Sequence, residues 1–362
     1  MRVKLSDVTK YLKGTQINGD DLIENGEYIY LNGGINPSGR WNAANVKGNT
    51  VTISEGGNSS GYVNYVTEPF WCGAHCYYLF DGPKNTRYLY YALKSQQERL
   101  FDIRSGACMP NIKKADLGKF EFEFDTDEQK QSKIVSLLSK IEVVISERKR
   151  ELKLLDELIK ARFVEMFGDP VTNPKGWPVK KLKELSIQIN SGNTPKGGAE
   201  NYVEEGITFF RSQNVWKDRL EMDDIAYIDA ETHASMKKSS LKHGDILMTK
   251  TGRINTENSS LGRAALYEGE DDKANVNGHV YFIRLKQGIN NKFILRILVS
   301  PEYRDLIRSV CVGGIDKRQL NKEHIEDFPI ICPPVDMVNE YIALAERIAK
   351  SKFTKTFRLL RC

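Results

Sequence analysis

The forty residues from Glu128 to Phe167, EQKQSKIVSLLSKIEVVISERKRELKLLDELIKARFVEMF, contain neither glycine nor proline and decide the fold. Their apolar side chains recur in steps of three and four along 134–166, with Arg148 and Arg162 in the same series. This heptad spacing predicts a helix of about 60 Å if continuous, with a seam that packs against a second helix. Cap candidates at 125–127 precede it, and Gly168-Asp169-Pro170 ends it. The alternative is a long core helix within one large domain.

The sequences on the two sides of this helix repeat each other. Residues 74–79, AHCYYL, align with 278–283, GHVYFI, and further matches follow in the same order, up to Ile134 with Ile342. The second copy is longer by about thirty residues, most of them in the segment 215–277, as expected when surface loops absorb insertions. The chain therefore reads as two copies of one unit, each a mixed domain followed by a helix.

Both mixed domains are predicted to be α+β. β-branched and aromatic runs bounded by Gly and Asn predict strands; these are 28–31, 50–54, 76–80, 207–210, 245–249 and 280–285. Apolar periodicity predicts one helix after each set of strands, at 87–100 and at 291–306.

Length and composition exclude several classes of protein. The chain has 362 residues, 40% hydrophobic and 28% charged, which is typical of a globular protein with more than one core. No apolar stretch approaches the roughly 20 residues of a membrane helix, and the amino terminus lacks the apolar core of a signal peptide. Six cysteines without regular spacing indicate reduced thiols. We expect a cytoplasmic protein, and the net charge of +5 is only a weak indication of a polyanionic partner.

The motifs of several enzyme classes are absent from the sequence. It has no phosphate-binding loop, no dinucleotide fingerprint, no amino-methyltransferase Asn/Asp-Pro-Pro-Tyr/Phe element and no Pro-Asp nuclease motif. The segment Cys72-Gly73-Ala74-His75-Cys76 has no second ligand pair for zinc, so a packed histidine beside buried thiols is the better interpretation. We expect no catalytic residue, metal site or cofactor in this chain, which disfavours a free-standing nucleic-acid-modifying enzyme.

The remaining candidates are polar side chains in turn-rich segments. Arg, Lys, Asn and Gln read base edges, while Lys, Arg and Ser also bind phosphates. The predicted DNA-binding residues are Arg40, Trp41, Lys47, Asn58 and Ser59 in the first copy, and Lys196, Arg211, Gln213, Lys217, Lys250, Arg253, Asn258 and Arg263 in the second. Each of them alone is more often an ordinary solvated residue, but together they occupy corresponding loops of the two copies.

The order domain–helix–domain–helix and three local segments resemble the specificity subunit of type I restriction–modification systems. The segments are GACMPNI at 106–112, followed by Asp116-Leu117; Gly313-Gly314-Ile315, followed by Leu320; and FVEMFGDP at 163–170, followed by NPKGWP at 173–178.

The resemblance implies target recognition domains at 1–127 and 168–334, a central helix at 128–167 and a second helix at 335–362. The helices would form an antiparallel coiled coil, and each domain would read half of a bipartite double-stranded DNA target. The implied partners are two methyltransferase subunits, which use S-adenosylmethionine, and a motor–nuclease restriction subunit, which uses ATP and Mg²⁺.

Two alternatives stay open, a recognition subunit of a type II restriction–methylation enzyme and a coiled-coil scaffold that binds proteins. The second helix is short for the family, which implies weaker helix pairing, weaker docking of one partner, or a truncated or recombined reading frame. Because a buried unpaired charge is costly, we expect Arg148 and Arg162 to meet acidic residues of the second helix or to face a partner.

Overall fold

The computed structural model describes residues 1–106, 108–195, 197–254, 256, 258–314 and 317–359, and only the backbone of 353–359. The chain divides into two compact units, Met1–Glu147 and Arg148–Cys362. This division falls inside the long helix, so the domain borders drawn from the sequence stay predictions. Within the described ranges, no helix has the length and apolar character needed to cross a membrane.

The first unit is an α+β domain in which strands and helices alternate. Its elements are β1 (Arg2–Lys4), α1 (Leu5–Val8), β2 (Lys10–Lys13), β3 (Tyr28–Leu31), β4 (Gly39–Trp41), β5 (Thr50–Ser54), β6 (Val63–Val66), β7 (Trp71–Cys72), β8 (Cys76–Phe80), α2 (Thr86–Lys94), α3 (Gln97–Asp102), α4 (Lys114–Lys119), β9 (Glu121–Glu123) and the start of α5 (Glu128–Phe167). The main sheet has the order β2-β8-β5-β6 and a second sheet the order β4-β3-β7, while β1 pairs with β9.

The core of the first unit lies between the main sheet and α2. Strand β5 is buried along its whole length because it is a central strand, and Ile53 shares one core cluster with Leu93 of α2. Asn85 caps α2 by accepting a hydrogen bond from the Tyr88 amide. The same helix reaches α5 through an ion pair between Arg87 and Glu142, so the first half of α5 belongs to this unit.

The second unit repeats this architecture with additional short strands. Its elements are β10 (Val179–Lys181), α6 (Leu182–Leu185), β11 (Ser186–Ser191), β12 (Tyr202–Val203), β13 (Ile207–Phe210), β14 (Val215–Trp216), β15 (Arg219–Leu220), β16 (Ala226–Ile228), α7 (Ala230–Ser235), β17 (Ile246–Thr249), β18 (Thr251–Gly252), β19 (Ala264–Leu266), β20 (Ala274–Val276), β21 (Val280–Leu285), α8 (Asn291–Leu298), α9 (Pro301–Val310), β22 (Val312–Gly314), β23 (Lys317–Gln319), α10 (Lys322–Glu326), β24 (Pro329–Ile331) and α11 (Val335–Leu359).

Sheet topology confirms the internal repeat. The order β11-β21-β17-β19 reproduces β2-β8-β5-β6, and β24 pairs with β10 as β9 pairs with β1. Each unit also has one parallel pair, β3 with β7 and β13 with β20. Five predicted strands have the observed bounds, and the sixth begins one residue later, at Ile246.

The prediction of one helix after each set of strands is wrong, because each is two helices. In the second unit, α8 ends at Leu298, and Ser300 caps α9 by accepting from the Tyr303 amide at 3.2 Å. Pro301 occupies the first position of α9, where its missing N–H costs nothing, but it cannot continue α8.

The second half of α5 packs against α11 within the second unit. Arg162 pairs with Glu340 at 3.0 Å, and Asp156 pairs with Lys352 at 2.5 Å, so the two helices run antiparallel. The expectation for Arg162 is therefore confirmed, whereas Arg148 pairs along its own helix with Glu151 at 2.6 Å. The described part of α11 has 25 residues, against 40 in α5.

An aromatic cluster holds this helix pair to the domain. The Phe167 ring lies 5.2 Å from Phe163, 5.0 Å from Phe293 of α8 and 5.6 Å from Tyr341 of α11. Phe167 and Tyr341 are almost completely buried. By contrast, other apolar side chains of α5, such as Leu154, are more than half exposed.

Candidate nucleic-acid interface

In the first unit, polar side chains gather where β2, β3, β5 and β7 end and β8 begins. The amide of Gly14 donates to the carbonyl of Gly73 at 3.2 Å. The amide of Glu55 donates to the carbonyl of His75 at 2.8 Å. The His75 amide in turn donates to the Asn32 side chain at 3.3 Å. We call this cluster of Lys13, Asn32, Glu55, Asn58, Ser59 and His75 the first loop end.

A carboxylate organises the first loop end. Glu55 accepts from the Lys13 ammonium at 2.8 Å and meets Nδ1 of His75 at 3.2 Å. Burial would raise the pKa of Glu55, but the hydrogen bonds from Lys13 and His75 outweigh it and hold that pKa below its usual value.

Of the two predicted residues here, Asn58 is exposed, and the Ser59 hydroxyl donates to the Gly33 carbonyl at 2.7 Å. The Ser59 hydroxyl therefore ties two loops together.

The other three residues predicted in the first copy lie elsewhere. Trp41 pairs with Tyr28 at the start of β3, and Lys47 precedes β5. Five residues of extended β5 separate Lys47 from the first loop end, a distance of about 17 Å. The Arg40 guanidinium donates to two backbone carbonyls, one of them that of Glu27 at 2.8 Å. Arg40, Trp41 and Lys47 thus do not form one patch with Asn58 and Ser59.

The equivalent end of the second unit carries different side chains. The Lys250 amide donates to the His279 carbonyl at 2.9 Å, as Glu55 does to His75, and the Leu320 amide donates to the Lys250 carbonyl at 2.9 Å. The Lys250 ammonium lies 5.7 Å from the centre of the Tyr281 ring. We call the cluster of Lys250, Arg253, His279, Lys317 and Arg318 the second loop end.

The hairpin β22–β23 brings two cations to the second loop end that the sequence interpretation missed. Strand β18 extends this hairpin, with Gly252 opposite Arg318, so Arg253 directly follows the paired residue. Arg253 and Lys317 are both exposed. The signal in the sequence is the adjacent basic pair Lys317-Arg318, which follows the glycine segment.

Arg263 is buried, which corrects its prediction as a DNA-contacting residue. It is 8% exposed; its Nε donates to the Ser259 carbonyl at 3.0 Å, and its guanidinium lies 3.9 Å from the centre of the Trp216 ring. A second nitrogen donates to the Asn258 carbonyl. Its donors are therefore used to hold the segment 258–263, while the Asn258 side chain is exposed.

Two further predicted residues are engaged with one acidic residue. Arg211 lies 3.1 Å from the Asp224 carboxylate and Gln213 donates to it at 2.9 Å. Lys217 is exposed in the turn between β14 and β15, and Lys196 lies outside the described residues. In this unit Lys250, Arg253 and Asn258 remain the predicted residues whose geometry best suits contact with DNA.

The cysteine–histidine segment gives no sign of a metal centre in the part of the chain that is described. No group of three or more His, Cys, Asp or Glu side chains there could hold a metal ion. Cys72 and Cys76 are buried. A hydrogen bond with Cys76 and burial raise the pKa of the Cys72 thiol, so it stays protonated.

Comparison with known proteins points to one family. The family model described as type I restriction modification DNA specificity domain matches residues 1–155 and 174–344. A putative type I specificity subunit from Mycoplasma genitalium is 35% identical over 149 residues, which are 40% of this chain and 38% of that protein. One from Mycoplasma pneumoniae is 33% identical over 196 residues, 52% of this chain and 51% of that protein. A type I restriction enzyme specificity subunit from Methanocaldococcus jannaschii is 27% identical over 287 residues, 72% of this chain and 62% of that protein.

These alignments span less than two thirds of each relative. Solved structures share the fold over the whole chain. The crystal structure of a type I restriction–modification S subunit from M. genitalium has a TM-score of 0.63 at 19% identity, covering 100% of this chain and 92% of that one. A chain from a structural study of type I R-M complex assembly and conformational transition has a TM-score of 0.57 at 14% identity, covering 100% and 94%.

Proposed function

The chain belongs to the type I restriction–modification DNA specificity family, and from this premise we propose that it is the DNA-recognition subunit of such a complex. The observation that carries the proposal is the pair of loop ends. Two copies of one backbone present different side chains at the same place, which suits a target of two unlike halves.

The second loop end has the chemistry of a DNA-contacting surface. Lys250, Arg253 and Lys317 supply ammonium and guanidinium groups, which bind phosphates and can donate to the O6 and N7 atoms of guanine. Lys317 is exposed on β23, the central strand of the three-stranded sheet β18-β23-β22, whereas the Arg318 guanidinium donates to the Cys311 carbonyl at 3.3 Å. In the first loop end, Lys13, Asn58 and His75 supply a mixture of donors and acceptors.

We further propose that methylation and cleavage belong to partner subunits. Two methyltransferase subunits would supply S-adenosylmethionine, and a motor–nuclease subunit would supply ATP and Mg²⁺; this chain would hold none of them and would be non-catalytic. Exposed apolar side chains along α5, including Leu137, Val144 and Leu154, support docking of such partners on this helix. The complex would act in the cytoplasm.

The test is an adenine-methylation map, read by long-read sequencing, of cells that express the chain with its cognate methyltransferase subunit. The expected result is a two-part, asymmetric motif with a fixed gap. Cells expressing the methyltransferase alone are the control and should give no such motif.

Failure to methylate any motif, together with no DNA binding by the purified complex at low salt, would refute the proposal and favour the protein-binding scaffold. Methylation together with cleavage by one fused partner would favour the type II alternative.

A further inference from the structure

One position is shared by the two loop ends and carries opposite charges. Glu55 directly follows β5, and Lys250 directly follows β17, the equivalent central strand. Glu55 donates its amide to His75 and accepts from the amide of Ile112, both at 2.8 Å. Lys250 makes the same two bonds: its amide donates to the His279 carbonyl, and its carbonyl accepts from the Leu320 amide, both at 2.9 Å. Because the backbone is held identically, the difference lies in the side chain alone.

In the first unit this side chain faces inward and its two partners face outward. The Glu55 side chain is 16% exposed, while Lys13 is 43% and His75 is 60% exposed. A carboxylate can only accept hydrogen bonds, so Nδ1 of His75 must donate to it, which leaves Nε2 without a proton in the neutral ring. The outward surface is therefore an ammonium donor beside an imidazole acceptor.

In the second unit, a lysine takes the place of the glutamate, and the residue on the partner strand differs as well. The register that puts Lys13 opposite Tyr77 puts Ser191 opposite Tyr281. Ser191 therefore takes the strand position of Lys13, and Lys250 has a half-buried stem with its ammonium 5.7 Å from the centre of the Tyr281 ring. An ammonium group on such a stem is a point charge with three donors, which suits a phosphate oxygen.

We infer that this position makes the two domains read DNA in different ways. Glu55 is a positioning residue that orients Lys13 and His75 toward a base edge, with Nε2 of His75 accepting from the amino group of adenine or cytosine. Lys250 contacts a DNA phosphate itself. The inference rests on the proposed function and specifies which chemical group each half-site meets.

Glu55→Gln tests the first half of the inference. The amide nitrogen of glutamine can donate to Nδ1 of His75, which moves the ring proton to Nε2 and turns the outward acceptor into a donor. We expect the methylation map to lose its preference for adenine or cytosine at one position of one half-site. His75→Ala should lose the same preference, and the double variant should be no worse than His75→Ala, because Glu55 acts through His75.

Lys250→Met tests the second half. The methylated motif should stay unchanged. Binding to a duplex that carries the wild-type motif should become less sensitive to salt: the slope of the logarithm of the binding constant against the logarithm of salt concentration should decrease in magnitude by about 0.9, the value for one lost phosphate contact. Glu55→Gln should leave that slope unchanged. The binding measurements use the complex with its methyltransferase subunits.

Matched controls lie at the far ends of the same strands. Lys10 on β2 pairs with Asp81 at 2.9 Å, and Lys242 before β17 pairs with Asp272. Lys10→Met and Lys242→Met should change neither the motif nor the salt slope. Thermal unfolding of each variant separates loss of reading from loss of folding.

The outcomes are distinguishable. An unchanged motif with Glu55→Gln, or a changed motif with Lys250→Met, would overturn the inference while the wild-type motif keeps the proposed function intact. Absence of any motif in the wild type would overturn the proposed function and the inference with it, before any variant is compared.

Discussion

Replacing Phe167 by alanine should detach the helix pair from the second domain. The ring is completely buried and contacts three other aromatic rings, two of them from α8 and α11. Removing a buried phenylalanine costs about 3–5 kcal/mol, because burial is lost and a cavity remains. In a unit of this size each kcal/mol lowers the melting temperature by about 2–4 °C, so a decrease of about 6–20 °C is expected.

Urea denaturation would measure the change in free energy of unfolding, and hydrogen exchange with mass spectrometry would locate it. Amide protection should fall at the end of α5, in α8 and at the start of α11. Leu154→Ala is the matched control, because this side chain of the same helix is 53% exposed and its truncation should change the free energy by less than about 0.5 kcal/mol. A loss of less than about 1 kcal/mol with Phe167→Ala would contradict the packing argument.

Three further predictions concern the loop ends. Arg253→Ala removes an exposed side chain and should impair methylation through one half-site. Recognition of the other half-site and the free energy of unfolding should stay unchanged. Unchanged methylation at every site would exclude Arg253 from the interface. Arg263→Ala should instead destabilise the second unit in urea by about 1–3 kcal/mol, because it removes buried hydrogen bonds and the contact with Trp216. Because the folded-state pKa of Glu55 is lowered, its stabilisation is complete above the usual value of 4.5 and is lost as the pH falls through the folded value. Urea denaturation between pH 6 and pH 3 should show this loss in the wild type and a flatter profile in Glu55→Gln, and equal profiles would contradict it.

Local patterns in the sequence predicted much of the fold. Strand β5 was visible as a β-branched run between turn residues, and α5 as a heptad pattern without helix breakers. The break between α2 and α3 was not visible, since Ser95 and Gln96 are neither glycine nor proline. The corresponding break before α9 is marked in the sequence by Pro301, which cannot continue a helix.

The candidate site was less predictable, because it depends on contacts between distant residues. Lys13 and Glu55 are 42 positions apart and meet only because β2 and β5 flank β8. Arg263 is polar and lies in a turn-rich segment, so its sequence context cannot reveal the Trp216 ring that buries it. Residue type thus identified the chemistry of the loops, while strand order decided which side chains share a surface.

The pairing of β1 with β9, and of β10 with β24, means that the chain enters and leaves each domain at the same place. The Met1 amino group donates to the Phe124 carbonyl at 3.0 Å, and Val179 lies opposite Ile331. The second domain, closed in this way, can be removed and replaced as a cassette, because its junctions with α5 and α11 are adjacent. Genetic recombination with both crossovers in these paired strands would exchange a complete reading surface and leave α5 and α11 as they are. Circular permutation within either domain would need only a short linker, for which the entropy of loop closure is small.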